Sequence, residues 1–247
     1  MITSYLRRGM AAGLLAGLLA GLFAFFIGEP SVDGAIRIEK AAATHSHEEG
    51  AGPAHDEGVF SRSTQKVGLF FATGVFGVMV GGLFGMAYAY FRGRLASESD
   101  WYRSLSLAGA VFAGAFLIPY LKYPTNPPAV GDPATIGERT AAYFAVVALS
   151  LLVVLAAWYA SRRFRERGIS APVRQTTVGL GVAVAVGVML LAFPAAPDPG
   201  EFPSGLLWSF RLSSLGTQVV FWAGLGVVFG LLCERANRRS QRAESVA

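Results

Sequence analysis

Residues 121–140 read LKYPTNPPAVGDPATIGERT, and they separate two uncharged apolar runs, SLSLAGAVFAGAFLIPYL (104–121) and AAYFAVVALSLLVVLAAWYA (141–160). Each run falls within the ~17–25 residues that an α-helix needs to cross a bilayer. Pro124, Pro127, Pro128 and Pro133 fix φ and lack a backbone donor, so the helix cannot continue through the stretch between them. The reading is a stiff, shaped loop that carries Lys122, Tyr123, Asn126, Asp132, Glu138 and Arg139 between two membrane spans. Thr135 and Glu138 have capping-box spacing, which starts the next helix near Ile136.

Four further windows repeat the pattern on either side: 9–27, 67–91, 176–193 and 213–233. The 247-residue chain is 53% hydrophobic and only 15% charged, with a mean hydropathy of +0.47. A soluble domain carries roughly 25% charged residues. One run of this kind could be a buried core helix, but six in one chain predict an all-α polytopic integral membrane bundle, a single domain over 1–247. The lone Cys233 excludes an internal disulfide and reads as a small structural residue near the end of the last span.

Six spans place both termini on one side. That side holds Arg7 and Arg8; Arg92, Arg94 and Arg103; Arg162, Arg163, Arg165, Arg167 and Arg174; and Arg235, Arg238, Arg239 and Arg242. The other side holds half as many cations. The excess marks the cytoplasmic face, so the N-terminus and the basic tail 234–247 are expected inside a plasma (inner) membrane. The net charge of +5 is accounted for in this way and does not call for a nucleic-acid partner.

Within the first window Gly9, Gly13, Gly17 and Gly21 recur every four residues, as do Gly77, Gly81 and Gly85 in the second. Each set lies on one helix face and forms a groove for close helix packing, against the other set or against a partner span. The basic start followed by an apolar run resembles a secretory signal, but the run is too long for one and lacks a clean cleavage site, so it is read as a retained span.

Residues 28–66 form the one long hydrophilic segment, expected outside. Ile36 and Ile38, interleaved with Arg37, Glu39 and Lys40, predict a short interfacial helix, and 41–58 is expected to be disordered on its own. All three histidines, His45, His47 and His55, lie here beside Glu48, Glu49, Asp56 and Glu57. Imidazole suits Co, Ni, Cu and Zn, so the segment is a candidate metal-capture loop; the alternative is a solvated acidic loop with incidental histidines. Glu29, Asp33, Asn126 and Asp132 emerge on the same face and form a candidate cation entrance, with Lys122 and Arg139 available to hold the carboxylates and Glu138 assigned to capping. Pro119, near the outer end of its span, frees a carbonyl in the preceding turn and reads as a helix terminator.

The chain has no Gly-x4-Gly-Lys-Ser/Thr loop, no His-Glu-x-x-His and no Cys-x-x-Cys, and no carboxylate lies deep inside an apolar window. ATP hydrolysis by the usual route and intramembrane catalysis are thereby disfavoured, and the chain is not read as an enzyme.

Three motifs carry a resemblance to the CbtA family of predicted cobalt transporter subunits. They are an Arg8-Gly9 start running into GLLAGLLAG (13–21), then Gly28-Glu29-Pro30 with Val32, Asp33, Ala35, Ile36 and Glu39, and the loop Leu121-Lys122-Tyr123-Pro124 through Asn126-Pro127-Pro128, Val130-Gly131-Asp132-Pro133, Thr135-Ile136 and Arg139-Thr140. The resemblance covers most of the chain and is weak over the last two spans. It implies uptake of cobalt(II), with no permanently bound cofactor, in support of cobalamin synthesis. It also implies a small single-span partner with a histidine-rich end, and five spans where six windows are counted here; an oligomer is compatible with the glycine faces. The competing expectation is a non-transporting assembly or sensor subunit whose glycine faces bind another span.

Overall fold

The computed structural model describes residues 2–47, 61–95, 97, 99–128, 130–131 and 133–245. Among them there is no strand. The helices are α1 (Ile2–Phe23), α2 (Glu29–His47), α3 (Arg62–Phe91), α4 (Asp100–Phe112), α5 (Ile118–Lys122), α6 (Ile136–Glu166), α7 (Ala171–Ala192) and α8 (Ser204–Glu244). α1 runs into α2, and α4 into α5, through a single π-helical turn, at Ala24–Gly28 and Ala113–Leu117. The result is six continuous helices long and apolar enough to cross a membrane, and the chain is an all-α polytopic membrane bundle.

The two π turns share one register. Glu29 donates its N–H to Ala24, five residues back, and Ile118 does the same to Ala113. Pro30 and Pro119 follow immediately. A proline ring clashes with the carbonyl four residues earlier in a regular helix, and a widened turn relieves that clash. Two expectations change for this reason. The helix does not stop near Ile27 with a separate interfacial helix after it: the residues from Glu29 onward continue the first span through Pro30. Nor does Pro119 terminate its helix, which persists to Lys122.

The chain forms two compact units. The first comprises Met1–Gly109, Asn126–Ala129 and Pro203–Ala247; the second comprises Ala110–Thr125 and Val130–Phe202. In the first unit the glycine rows of α1 and α3 meet. A methyl group added to Gly9, Gly13 or Gly17 would overlap the carbonyl of Gly81, Gly77 or Thr73, and one added to Gly77, Gly81 or Gly85 would overlap Gly13, Gly9 or Tyr5. Lipid tails are as apolar as leucine, so close backbone approach supplies the dispersion contact that hydrophobic exclusion supplies in water. On α8, Gly226 and Gly230 seat Ala108 and Trp101 of α4, and Ser104 donates to the Gly226 carbonyl at 2.7 Å. Phe84, Tyr88, Leu225 and Phe229 fill the space between these helices.

In the second unit Ile118, Val146 and Met189 make a small core with Tyr123, Val154, Val186 and Phe193 around it. Gly114 lets α6 approach its π turn, since a Cβ there would lie 3.0 Å from Leu151 and 3.2 Å from Val154. Ser150 of α6 donates to the Gly114 carbonyl, and both residues are buried.

Candidate functional site

At the start of α2, Glu29 and Asp33 are four residues apart and so share a helix face. At the start of α3, Arg62 and Lys66 have the same spacing. The two faces meet. Arg62 Nη2 lies 2.6 Å from Glu29 Oε2 and 2.6 Å from Asp33 Oδ1, and Arg62 Nε donates to Asp33 at 3.0 Å. Lys66 Nζ lies 2.8 Å from Asp33 Oδ2 and 3.8 Å from Glu29 Oε2. The Glu29 side chain is 14% exposed and the other three are about a third exposed. Ser61 caps α3 by accepting from the Thr64 N–H at 3.3 Å, which fixes where Arg62 begins. Two carboxylates with four oxygens and a neutralising guanidinium and ammonium thus form a quartet. A divalent cation would have to displace those two groups to reach Glu29 and Asp33.

Asn126 accepts from Arg211 of α8 at 2.9 Å. Asp132 lies outside the described residues. The Lys122 ammonium donates to the Leu190 carbonyl at 2.7 Å, in the last turn of α7, where helix carbonyls lack intrahelical donors. Tyr123 supports the same corner by donating to the Pro194 carbonyl at 3.0 Å, and partial burial pushes its phenol above the ordinary value. Gly131 has φ +100°, a backbone region that favours glycine, and its missing side chain leaves room for the Arg139 guanidinium. The capping box is not made. α6 does start at Ile136, but Thr135 gives no side-chain cap, because a 3₁₀ turn at Pro133–Thr135 leads into the helix and sets Thr135 at φ −96°, ψ 4°, away from extended cap geometry.

Positions 45 and 47 belong to α2, so the first part of the expected disordered segment is helical; residues 48–60, with His55, lie outside the described residues. Among the described residues no group of three or more His, Cys, Asp or Glu side chains stands ready around one point.

The other end of the first unit holds a cluster that sequence reasoning missed. The Asp100 side chain is only 2% exposed. It accepts from the Tyr88 hydroxyl at the end of α3, from Asn237 Nδ2 of α8 at 2.8 Å and from Arg103 Nη1 at 3.2 Å. Ser99 donates to Glu234 of α8 at 2.9 Å. Arg8 and Arg92 place their guanidinium groups 5.5 and 5.1 Å from the centroid of the Tyr5 ring, and Arg8 reaches Cys233. The N-terminal turns of α1 and the C-terminal half of α8 therefore lie at one end of the unit. The available signal was an acid at the first position of a helix, Asp100, beside the aromatic pair Trp101 and Tyr102.

A family model described as "Probable cobalt transporter subunit (CbtA)" matches residues 2–234, nearly the whole chain. No curated protein and no solved structure matches. The chain belongs to the CbtA family of probable cobalt transporter subunits.

Proposed function

We propose that this chain is the membrane subunit of a transition-metal importer that carries cobalt(II) into the cell for cobalamin synthesis. It lies in the plasma (inner) membrane with both termini in the cytoplasm. The observation that carries the reading is the family match over residues 2–234. The acid–base quartet gives it a chemical starting point. Glu29 and Asp33 offer oxygens, and Arg62 and Lys66 keep them neutralised while no ion is present. Asn126 and Asp132 are the remaining candidate ligands, and the proline-stiffened stretch that carries them would let geometry assist selection where raw affinity for cobalt cannot. His45, His47 and His55 raise the local metal concentration ahead of it. A small single-span partner with a histidine-rich end completes the transporter.

Uptake of radiolabelled cobalt tests this in cells that lack other cobalt importers, with and without this chain. Accumulation that depends on the chain and falls steeply in Asp132→Asn, with the protein still in the membrane, supports the reading. Chain-independent accumulation refutes it. One observation favours a second reading, a non-transporting assembly or sensor subunit: Gly179 and Gly187 of α7 meet nothing within 4 Å, and with the exposed Ala183 between them on the same helical face they leave a smooth surface for another span. Under that reading cobalt accumulation is unchanged, and a partner crosslinks through α7.

A further inference from the structure

α8 has 41 residues, which at 1.5 Å each is about 60 Å and outruns a hydrocarbon layer of about 30 Å. Its last turns carry Arg235, Arg238, Arg239 and Arg242, all exposed. The intervals of three, one and three place the four on one helical face. The opposite face holds Phe229 and Cys233, both fully buried, and Asn237, which bonds Asp100. The arginine face is therefore turned away from the helices of its own unit. It starts two residues beyond Cys233 and extends for about 10 Å along the axis. The same end of the unit carries exposed Arg7 and the exposed Tyr90 ring, with the Arg94 guanidinium 4.2 Å from the ring centroid, an aromatic and cationic pairing typical of a membrane interface. Glu234, the acid nearest the stripe, is taken by Ser99 and lies 3.6 Å from Arg238.

We propose that this arginine face binds the anionic phospholipid headgroups of the leaflet in which α8 ends. A guanidinium fork matches phosphate oxygens in a bidentate way that an ammonium does not. A cluster of four basic residues immediately beyond a span suffices for such recognition. Lipid is favoured over an acidic protein because the stripe follows directly on the end of the apolar span and faces away from the helices of its own unit, at the level where a phospholipid headgroup meets a spanning helix. The assignment is independent of which ion, if any, the chain carries.

The test uses the purified full chain in neutral detergent, with phosphatidylglycerol and phosphatidylcholine as probes. Retained lipid is counted by native mass spectrometry and thermal midpoint is followed as lipid is added. The expected result is a preference for phosphatidylglycerol of about tenfold or more, weakening with salt. The variant Arg235→Gln/Arg238→Gln/Arg239→Gln/Arg242→Gln loses most of that preference, and Arg37→Gln keeps it. Should the fourfold variant fold poorly, Arg235→Gln/Arg239→Gln and Arg238→Gln/Arg242→Gln each show a partial loss. Equal affinity for the two lipids, or a preference that survives the fourfold change, overturns the proposal. So does competition by inorganic phosphate or polyglutamate as effective as that by phosphatidylglycerol, the former marking a free-anion site and the latter an acidic protein partner.

Discussion

Ser150 of α6 supplies the hydrogen bond that the Gly114 carbonyl cannot obtain from its own helix. In a regular helix the Ile118 N–H would serve Gly114, but the π turn sends it to Ala113. The widened pattern would next call on residue 119, which is a proline and has no N–H. In a dry environment an unserved carbonyl is costly, so the serine, the glycine and the proline form one device split across two helices. Ser150→Ala should lower stability by about 1–3 kcal/mol. Thermal unfolding in detergent measures this, and an unchanged midpoint would dissolve the link.

The α1–α3 seam makes a sharper contrast. Gly13→Ala or Gly77→Ala should each cost about 3 kcal/mol or more, because the added methyl meets a backbone carbonyl that cannot rotate away. Gly68, also on α3, has nothing within 4 Å of a built Cβ. Gly68→Ala should leave the yield of folded protein unchanged. Equal tolerance at Gly13 and Gly68, read by size-exclusion profile, would contradict the seam.

At the opposite end from the quartet, Asp100→Asn retains shape but removes the charge that Tyr88, Asn237 and Arg103 surround. The loss should be about 1–3 kcal/mol, larger than for Tyr88→Phe, which removes one donor and leaves the carboxylate two others. Chemical or thermal unfolding of the pair gives the order, and a Tyr88→Phe effect exceeding that of Asp100→Asn would show that ring packing dominates the cluster.

Orientation is checked by labelling. Native Cys233 is buried, so the background is low. With both ends inside, His47→Cys should react with an impermeant thiol reagent in intact cells and Arg165→Cys should not. The opposite pattern inverts the topology.

Replacing His45, His47 and His55 together with alanine should raise the cobalt concentration for half-maximal uptake and leave the maximal rate nearly unchanged. Uptake at low metal that is indifferent to the change leaves the histidines without a role in capture.

The spans were legible because about twenty uncharged residues in a row admit few other solutions, and the four-residue glycine rows at 9–21 and 77–85 pointed to a packing face, leaving open whether they meet each other or a partner span. Helix ends were less legible. Pro119 looked like a stop because proline ends regular helices, the first window was closed at Ile27 where the apolar run gives out, and the π turns that precede Pro30 and Pro119 have no composition of their own. The candidate site was read in part. Glu29 and Asp33 stood out as acids, but their partners Arg62 and Lys66 are about thirty residues away, across a segment with no periodic pattern. Asp100 was passed over because SESD reads as a solvated loop, and only the approach of Tyr88 and Asn237 takes it out of water.

α2 is one uninterrupted helix from Glu29 to His47. His45 stands sixteen residues along from Glu29, and His47 fourteen from Asp33, or about 24 and 21 Å at 1.5 Å per residue. On the proposed reading, that length of helix separates the two sets of candidate ligands, so an ion would be handed on by release and recapture. Residence time would then count for more than affinity, and weak, rapidly exchanging capture would serve uptake better than a tight grip.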